Sequence, residues 1–403
     1  MCYNTHKLVF LPILEKERRF IAMETRKLYY EDSHLTDFES TVTGCTAVQG
    51  GFAITLEATA FYPEGGGQPW DTGRLGESNV LSVREVGEEI LHLCDKPLPI
   101  GSSVTGYIDW DRRFDFMQQH SGEHMVSGII HQRYGYHNVG FHMGNDMVTI
   151  DFDGCISLAD LQEIEACVNA AIWQNLPLRC YYPSPEELPT VPYRRKKDLP
   201  WPVRIVEIPG IDLCACCGTQ VNHTGEVGLV KLFSCVKFHE GVRIEMACGK
   251  RALALLNTAF EQNREVSQAF SAKLQETGSA ARRMNEMLAA EKLRAAGLER
   301  QLFACIAQSY AGKALAVHFE SSLTPASNRE LCDVIAKECA VAVTLSGTDA
   351  SGYSLCIISR TEDAKAIGSA AIQALRGRGG GKREAFQGSI SASRKEILQY
   401  FLP

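Results

Sequence analysis

Two histidines lie four residues apart in a segment whose residues predict a helix. His120 and His124 belong to the stretch from Asp109 to Gly135, which begins with acidic residues and carries apolar residues at three-to-four spacing. Side chains four apart share one face of a helix, so both imidazoles can reach a single zinc ion. Such a pair is also common on ordinary helix surfaces and in cores. Glu123, between the histidines, points off their shared face.

A cysteine-rich segment further along the chain could supply sulfur to the same metal. Cys214, Cys216 and Cys217 open a Gly-rich loop after a predicted strand, and His223 follows closely. Alone, these cysteines read equally well as buried, unreactive thiols. Two imidazole nitrogens and one thiolate are, however, the set that a catalytic zinc uses when one position stays open for water.

A third segment combines three consecutive glycines with polar neighbours. Residues 59–73 read TAFYPEGGGQPWDTG. Consecutive glycines let the backbone pass close to a ligand or another surface, because they carry no Cβ. Without context the same letters would describe a plain β-turn.

In chain order the Gly-rich segment comes first, the histidine pair second and the cysteine-rich segment third. In that order the three segments resemble the editing domain of alanyl-tRNA synthetase and its freestanding relatives, the AlaX proteins. The resemblance covers roughly residues 25–400, and the Gly-rich RGRGGGKREAFQG near the C-terminus is similar to the long AlaX subclass. It implies a zinc ion held by His120, His124 and Cys216. The family pattern places a histidine where this chain has Gln220. The fourth ligand therefore stays open among Gln220, other nearby side chains and water; those side chains are Cys214, Cys217 and His223.

The resemblance also implies an activity: hydrolysis of the ester that joins a wrong amino acid to alanine-specific tRNA. Serine is the expected amino acid, with glycine as an alternative. Zinc either activates the attacking water or recognises the amino acid, and the sequence does not choose between these roles. A missing hydroxyl is best detected by a polar group that would otherwise lack a partner. The candidates for this catalytic and discriminating role are Gln68, Thr59, Thr219 and His142.

The surrounding sequence predicts an α+β protein in four parts. Short apolar segments separated by turn residues predict a small N-terminal β-barrel, and a helix–strand mix predicts an α+β zinc-containing editing domain. Proline-free, Ala- and Leu-rich sequence then predicts a long helical arm with a break near Gly278, before a compact α/β module. The parts are residues 1–108, 109–248, 249–312 and 313–403, with residues 1–22 an upstream extension if Met23 is the natural start.

Composition limits the partners and the compartment. Fifteen cysteines, an odd number and mostly scattered, argue against a disulfide framework and favour the reducing cytoplasm. No apolar run approaches the roughly 20 residues of a membrane helix. The net charge of −7 is no signature of nucleic-acid binding, so tRNA would be held by local basic patches. We predict a flexible basic loop at 376–395, a second patch at 192–200, and a homodimer contact through 249–312.

Two other classes of protein fit parts of the pattern. A zinc peptidase would use the histidine pair, but its usual helix reads H-E-x-x-H and places the glutamate differently. A non-catalytic, zinc-stabilised RNA-binding protein would fit if side chains filled all four metal positions.

Overall fold

The computed structural model describes residues 24–195 and 201–402. It divides into two compact units, one ending at Gln262 and the other beginning at Asn263. The predicted extension, the start at Met23 and the last five residues of the 192–200 basic patch lie outside the described residues.

Strands dominate the first part of unit one. In chain order the elements are β1 (Arg26–Lys27), α1 (Leu28–Glu31), β2 (Asp37–Val48), β3 (Gly51–Leu56), β4 (Ala58–Thr59), β5 (Gly73–Leu75), β6 (Ser78–Val86), β7 (Glu89–Cys94) and β8 (Ser103–Ile108). Six of them pair in the order β2-β3-β7-β6-β5-β8 and close into a barrel. Strand alternation sends every second side chain inward. In β7 this buries Ile90, His92 and Cys94.

One long helix and two sheets form the rest of unit one. The elements are α2 (Trp110–Tyr134), β9 (Asn138–Met143), β10 (Val148–Phe152), α3 (Leu158–Trp173), β11 (Arg179–Tyr181), β12 (Ile205–Ile208), β13 (Asp212–Ala215), β14 (Val230–Phe238) and β15 (Gly241–Cys248). The sheets have the orders β14-β15-β10-β9 and β11-β12-β13. Apolar side chains of α2, α3 and the larger sheet share one core.

Helix α2 is fixed at both ends and anchored to the barrel. The Asp109 side chain accepts the Arg112 N–H at its N-terminus, and Gly135 ends it in the left-handed conformation. Near the first turn the fully buried Arg113 forms an ion pair with Asp71, which follows the Gly-rich segment. The helix that carries the histidines is thereby tied to the loop that carries Gln68.

Unit two contains a helical part and an α/β part. Helix α4 (Gly249–Ala269) runs across the division between the units, and α5 (Thr277–Gln308) follows. Then come β16 (Leu315–Glu320), α6 (Pro325–Ile335), β17 (Val341–Thr348), β18 (Gly352–Ser359), α7 (Ala364–Ala374), β19 (Gly377–Lys382), β20 (Ala385–Ile390) and α8 (Arg394–Phe401). The strands form one sheet in the order β16-β17-β18-β20-β19. The arm is thus two helices, and Gly278 lies in the first turn of the second.

The mixed α+β class is confirmed, while the four-part division stays a prediction. The expected flexible loop at 376–395 is wrong, because β19 and β20 pair there as an antiparallel hairpin from Gly377–Ile390 to Lys382–Ala385. Arg376, at the start of this stretch, donates to Glu396, which lies one residue beyond its end. None of the helices in the described part of the chain combines the length and the apolar composition of a membrane-spanning segment.

Candidate metal centre

Helix α2 presents the two histidines side by side in a buried position. Their rings lie 5.4 Å apart at an interplanar angle of 28°. Each residue is only 2% exposed. Glu123 points elsewhere, as the helical spacing predicts, and its carboxylate accepts from Ser127 and Asn138. The residue between the histidines is therefore engaged away from their shared face.

Cys216 completes the cluster from the loop after β13. Its Sγ lies 3.3 Å from Nε2 of His120. One ligand atom from each of His120, His124 and Cys216 falls within 4.8 Å of the others. The loop is held by Arg204, whose guanidinium donates to the carbonyls of Cys216 and Gly218 at 3.0 and 2.9 Å. Helix α2 therefore fixes the two histidines, and the hydrogen bonds from Arg204 fix the loop that carries Cys216.

The electrostatics favour a thiolate at Cys216. Burial alone raises the pKa of this thiol, but the imidazoles of His120 and His124 outweigh it and hold the pKa well below its usual range. The Gly218 N–H also donates to Sγ at 3.3 Å. Although burial opposes it, the pKa of His124 is raised by the Cys216 thiolate and by Asp212. A thiolate and two imidazoles match the donors that zinc takes in proteins, so these residues fit the ion.

Gln220 does not offer its carbonyl oxygen to this cluster. Its Oε1 accepts from Ser121 Oγ at 2.6 Å, while its amide nitrogen lies 3.7 Å from Cys216 Sγ. Ser121 Oγ also accepts the Val221 N–H at 3.1 Å.

The other candidates for the fourth position differ in where they lie. Cys214 forms a second group with His124 and Asp212, whose ligand atoms also lie within 4.8 Å of one another. Cys217 and His223 are exposed, and among the described residues neither joins such a group.

Gln68 and Thr219 meet beside His120. Oε1 of Gln68 lies 2.9 Å from Nδ1 of His120 and accepts the Thr219 N–H at 3.2 Å; its Nε2 donates to Thr219 Oγ1 at 2.9 Å. The glycines make this approach possible. Gly67 has φ +85°, and a Cβ there would come within 2.6 Å of the Phe141 ring. A Cβ on Gly218 would lie 2.1 Å from Cε1 of His120.

Thr59 and His142 take no part in these contacts. The Thr59 hydroxyl pairs with Nε2 of His92 at 2.8 Å and accepts the Phe61 N–H, inside the barrel. His142 is exposed on β9. Its neighbour Phe141 places its ring 5.3 Å from that of His120, and successive side chains of a strand face opposite sides.

Sequence reasoning missed two residues that contact the histidines. Phe141 adjoins the candidate His142 on β9, and strand alternation could have distinguished the two. Asp212 lies two residues before Cys214, and its carboxylate reaches Nδ1 of His124 at 2.9 Å. An acidic residue at the start of an otherwise apolar strand was the available signal.

The chain is similar to known proteins along most of its length. Residues 203–245 match the family described as threonyl and alanyl tRNA synthetase second additional domain. An alanine–tRNA ligase of Thermofilum pendens is 31% identical over 92% of this chain, which spans 43% of the ligase. The alanyl-tRNA editing protein Aarsd1 of Danio rerio is 26% identical, covering 90% of this chain and 93% of that protein. Its counterpart from Rattus norvegicus is 27% identical, with 93% and 97% covered.

Among solved structures, the C-Ala domain of Aquifex aeolicus alanyl-tRNA synthetase matches 22% of this chain and 88% of that domain, at 21% identity and a TM-score of 0.20. That TM-score is too low to define a fold. The editing proteins and the ligase, together with the family match over residues 203–245, confirm the resemblance to AlaX proteins that the motifs indicate.

Proposed function

We propose that this chain is an aminoacyl-tRNA deacylase that removes a wrong amino acid from alanine-specific tRNA after its release from the synthetase. Serine is the proposed amino acid, with glycine as the alternative. The observation that carries the proposal is the cluster of the buried His120 and His124 with the half-buried Cys216, whose ligand atoms lie within 4.8 Å of one another. Relatives named as alanyl-tRNA editing proteins match this chain over nearly their whole length.

The residues around the cluster suit ester hydrolysis better than peptide hydrolysis. When bound, zinc would polarise the ester carbonyl or lower the pKa of a water to about 7. His120, His124 and Cys216 would hold the ion. Ser121 stands where the H-E-x-x-H helix of a peptidase has its glutamate, and Glu123 accepts hydrogen bonds from Ser127 and Asn138, away from the cluster. An aminoacyl ester is activated and needs positioning more than a strong base.

The fourth position around the ion is proposed to be open to water. Gln220 presents its amide nitrogen, which cannot ligate, towards Cys216. We expect Gln220→Ala to retain most of the zinc and Cys216→Ala to lose it. Equal and complete loss in both variants would make Gln220 a ligand.

The second half of the chain is proposed to bind tRNA and to form a homodimer. Exposed basic side chains at Arg378, Lys382 and Arg383 on the β19–β20 hairpin can contact phosphates. Large apolar side chains remain exposed on the two arm helices, including Phe260 and Leu293. Light scattering of the intact chain and of Leu293→Glu tests the dimer.

Deacylation with measured zinc content tests the function. Purified protein should bind one zinc per chain and release serine from alanine-specific tRNA, leave the alanine-charged form intact, and lose activity when chelated. His120→Ala and His124→Ala should lose both zinc and activity. Bound zinc and tRNA without hydrolysis of either ester would instead indicate a zinc-stabilised RNA-binding protein.

A further inference from the structure

The two candidate ligand histidines are held on their far sides by partners of different charge. Nδ1 of His120 lies 2.9 Å from the amide oxygen of Gln68, and Nδ1 of His124 lies 2.9 Å from a carboxylate oxygen of Asp212. We propose that Gln68 and Asp212 are positioning residues, which fix both rings with Nε2 free to face Cys216. This inference rests on the metal-binding part of the proposed function.

The contacts of Gln68 fix the orientation of its amide. A backbone N–H can only donate, and the Thr219 N–H points at Oε1. The other end of the amide donates to Thr219 Oγ1. The atom beside His120 is therefore the oxygen, which accepts only. His120 must then donate from Nδ1, so in the form of the ring that binds a metal Nε2 keeps the lone pair. This atom lies 3.3 Å from Cys216 Sγ.

Asp212 likewise accepts the Nδ1 proton of His124, here through a charged contact. Arg194 forms a bidentate ion pair with this carboxylate: its Nε lies 2.7 Å from Oδ1 and a terminal nitrogen lies 2.8 Å from Oδ2. The Asp212 side chain is only 1% exposed. A carboxylate gripped by arginine accepts hydrogen bonds and donates none. His124 consequently donates from Nδ1.

The bidentate ion pair between Arg194 and Asp212 also argues against a second metal in the group of His124, Asp212 and Cys214. A cation bound to Asp212 there would lie beside the permanent positive charge of Arg194. Both oxygens of the Asp212 carboxylate also already accept hydrogen bonds, from Arg194 and His124. Proximity alone cannot distinguish this group from the first. The positive charge of Arg194 distinguishes the two groups, because it disfavours a cation at Asp212. Asp212 is therefore a hydrogen-bond partner of His124 and not a metal ligand.

The difference in charge has a measurable consequence. A carboxylate partner makes an imidazole a more basic ligand, and an amide partner mainly orients it. Removing the charge at Asp212 should weaken zinc binding although an oxygen acceptor remains. At Gln68 the oxygen is the feature that matters. Gln68→Glu keeps it and should retain zinc, whereas Gln68→Leu removes it.

Zinc affinity measured without RNA tests the proposal. A chelating dye competes for the ion, and we expect Gln68→Leu and Asp212→Asn each to raise the Kd about 10–100-fold. Gln68→Glu should remain near wild type. Asn169→Leu controls for the loss of a buried, hydrogen-bonded amide. Asp151→Asn controls for the loss of a carboxylate, since Arg243 grips Asp151 at the same 2.7 and 2.8 Å.

Nitrogen-15 spectra of the histidines provide a readout that general destabilisation would not move. In zinc-loaded wild type both rings should be protonated at Nδ1 and bind through Nε2, and Gln68→Leu should alter His120 while leaving His124 unchanged. Wild-type zinc affinity in Gln68→Leu and Asp212→Asn, or binding through Nδ1, would overturn the proposal. If the ligation pattern holds but serine-charged tRNA is not hydrolysed, the positioning roles stand and the proposed function fails.

Discussion

A single methyl group at Gly218 should disable the metal centre without removing any ligand. The Cβ of Gly218→Ala would lie 2.1 Å from Cε1 and 2.3 Å from Nδ1 of His120, whereas ordinary contacts begin near 3.4 Å. The ring or the loop must therefore move by roughly 1.3 Å, the gap between these distances. The ring has little space to do so, because His124 and Phe141 pack 5.4 and 5.3 Å away.

Such a shift exceeds what a zinc site tolerates, since ligand distances hold to about 0.2 Å. We expect most of the zinc to be lost and deacylation to fall about 100-fold or more, as a 1 Å misplacement commonly costs. The overpacked fold should also lose about 1–3 kcal/mol of unfolding free energy. Zinc content, deacylation rate and urea unfolding measure the three effects. Gly297→Ala is the control, because a Cβ there meets nothing within 4 Å on helix α5. Wild-type zinc content and rate in Gly218→Ala would refute the packing argument.

Three further predictions concern stability and RNA binding. Asp71→Asn leaves the fully buried Arg113 charge unpaired and should cost about 3–5 kcal/mol of unfolding free energy in urea, and a cost below about 1 kcal/mol would contradict this. Burial lowers the pKa of His92 to about 4, so below pH 6.5 the unfolded chain takes up a proton that the native barrel refuses. From pH 7 to pH 4 wild type should therefore lose up to about 3 kcal/mol more stability than His92→Gln, and equal losses would contradict the prediction. Arg378→Ala combined with Lys382→Ala should flatten the salt dependence of tRNA binding by roughly one to two in log–log slope, and an unchanged slope would place the RNA elsewhere.

The parts of this site that follow local rules were predictable from sequence. Helical spacing places His120 and His124 on one face and turns Glu123 away from them, because the period of a helix is fixed. The Gly-rich loop after β13 brings Cys216 to the same place, and the glycines of the third segment permit close contact, as expected from their lack of Cβ.

The parts that depend on tertiary contact were not predictable. Whether Gln68 faces substrate or His120 depends on where the barrel loop meets α2, and nothing local to either segment encodes that meeting. The choice between Phe141 and His142 depends on the register of β9 against β10, where one residue reverses the face. The sequence predicted a loop in place of the β19–β20 hairpin because β19 consists largely of glycines, which disfavour strands. Its strand conformation depends on pairing with β20 across the turn.

Two of the residues proposed from sequence to recognise the amino acid, Gln68 and Thr219, are fully buried, and this argues against that role. Gln68 is 1% exposed and Thr219 is 0% exposed, and each uses its polar atoms on the other or on His120. A group that detects a hydroxyl must face the space that the hydroxyl enters and must lack another partner. Gln68 meets neither condition in this structure. Both polar ends of its amide are already used on Thr219 and His120, so in the proposed deacylase selectivity for serine should arise from other groups.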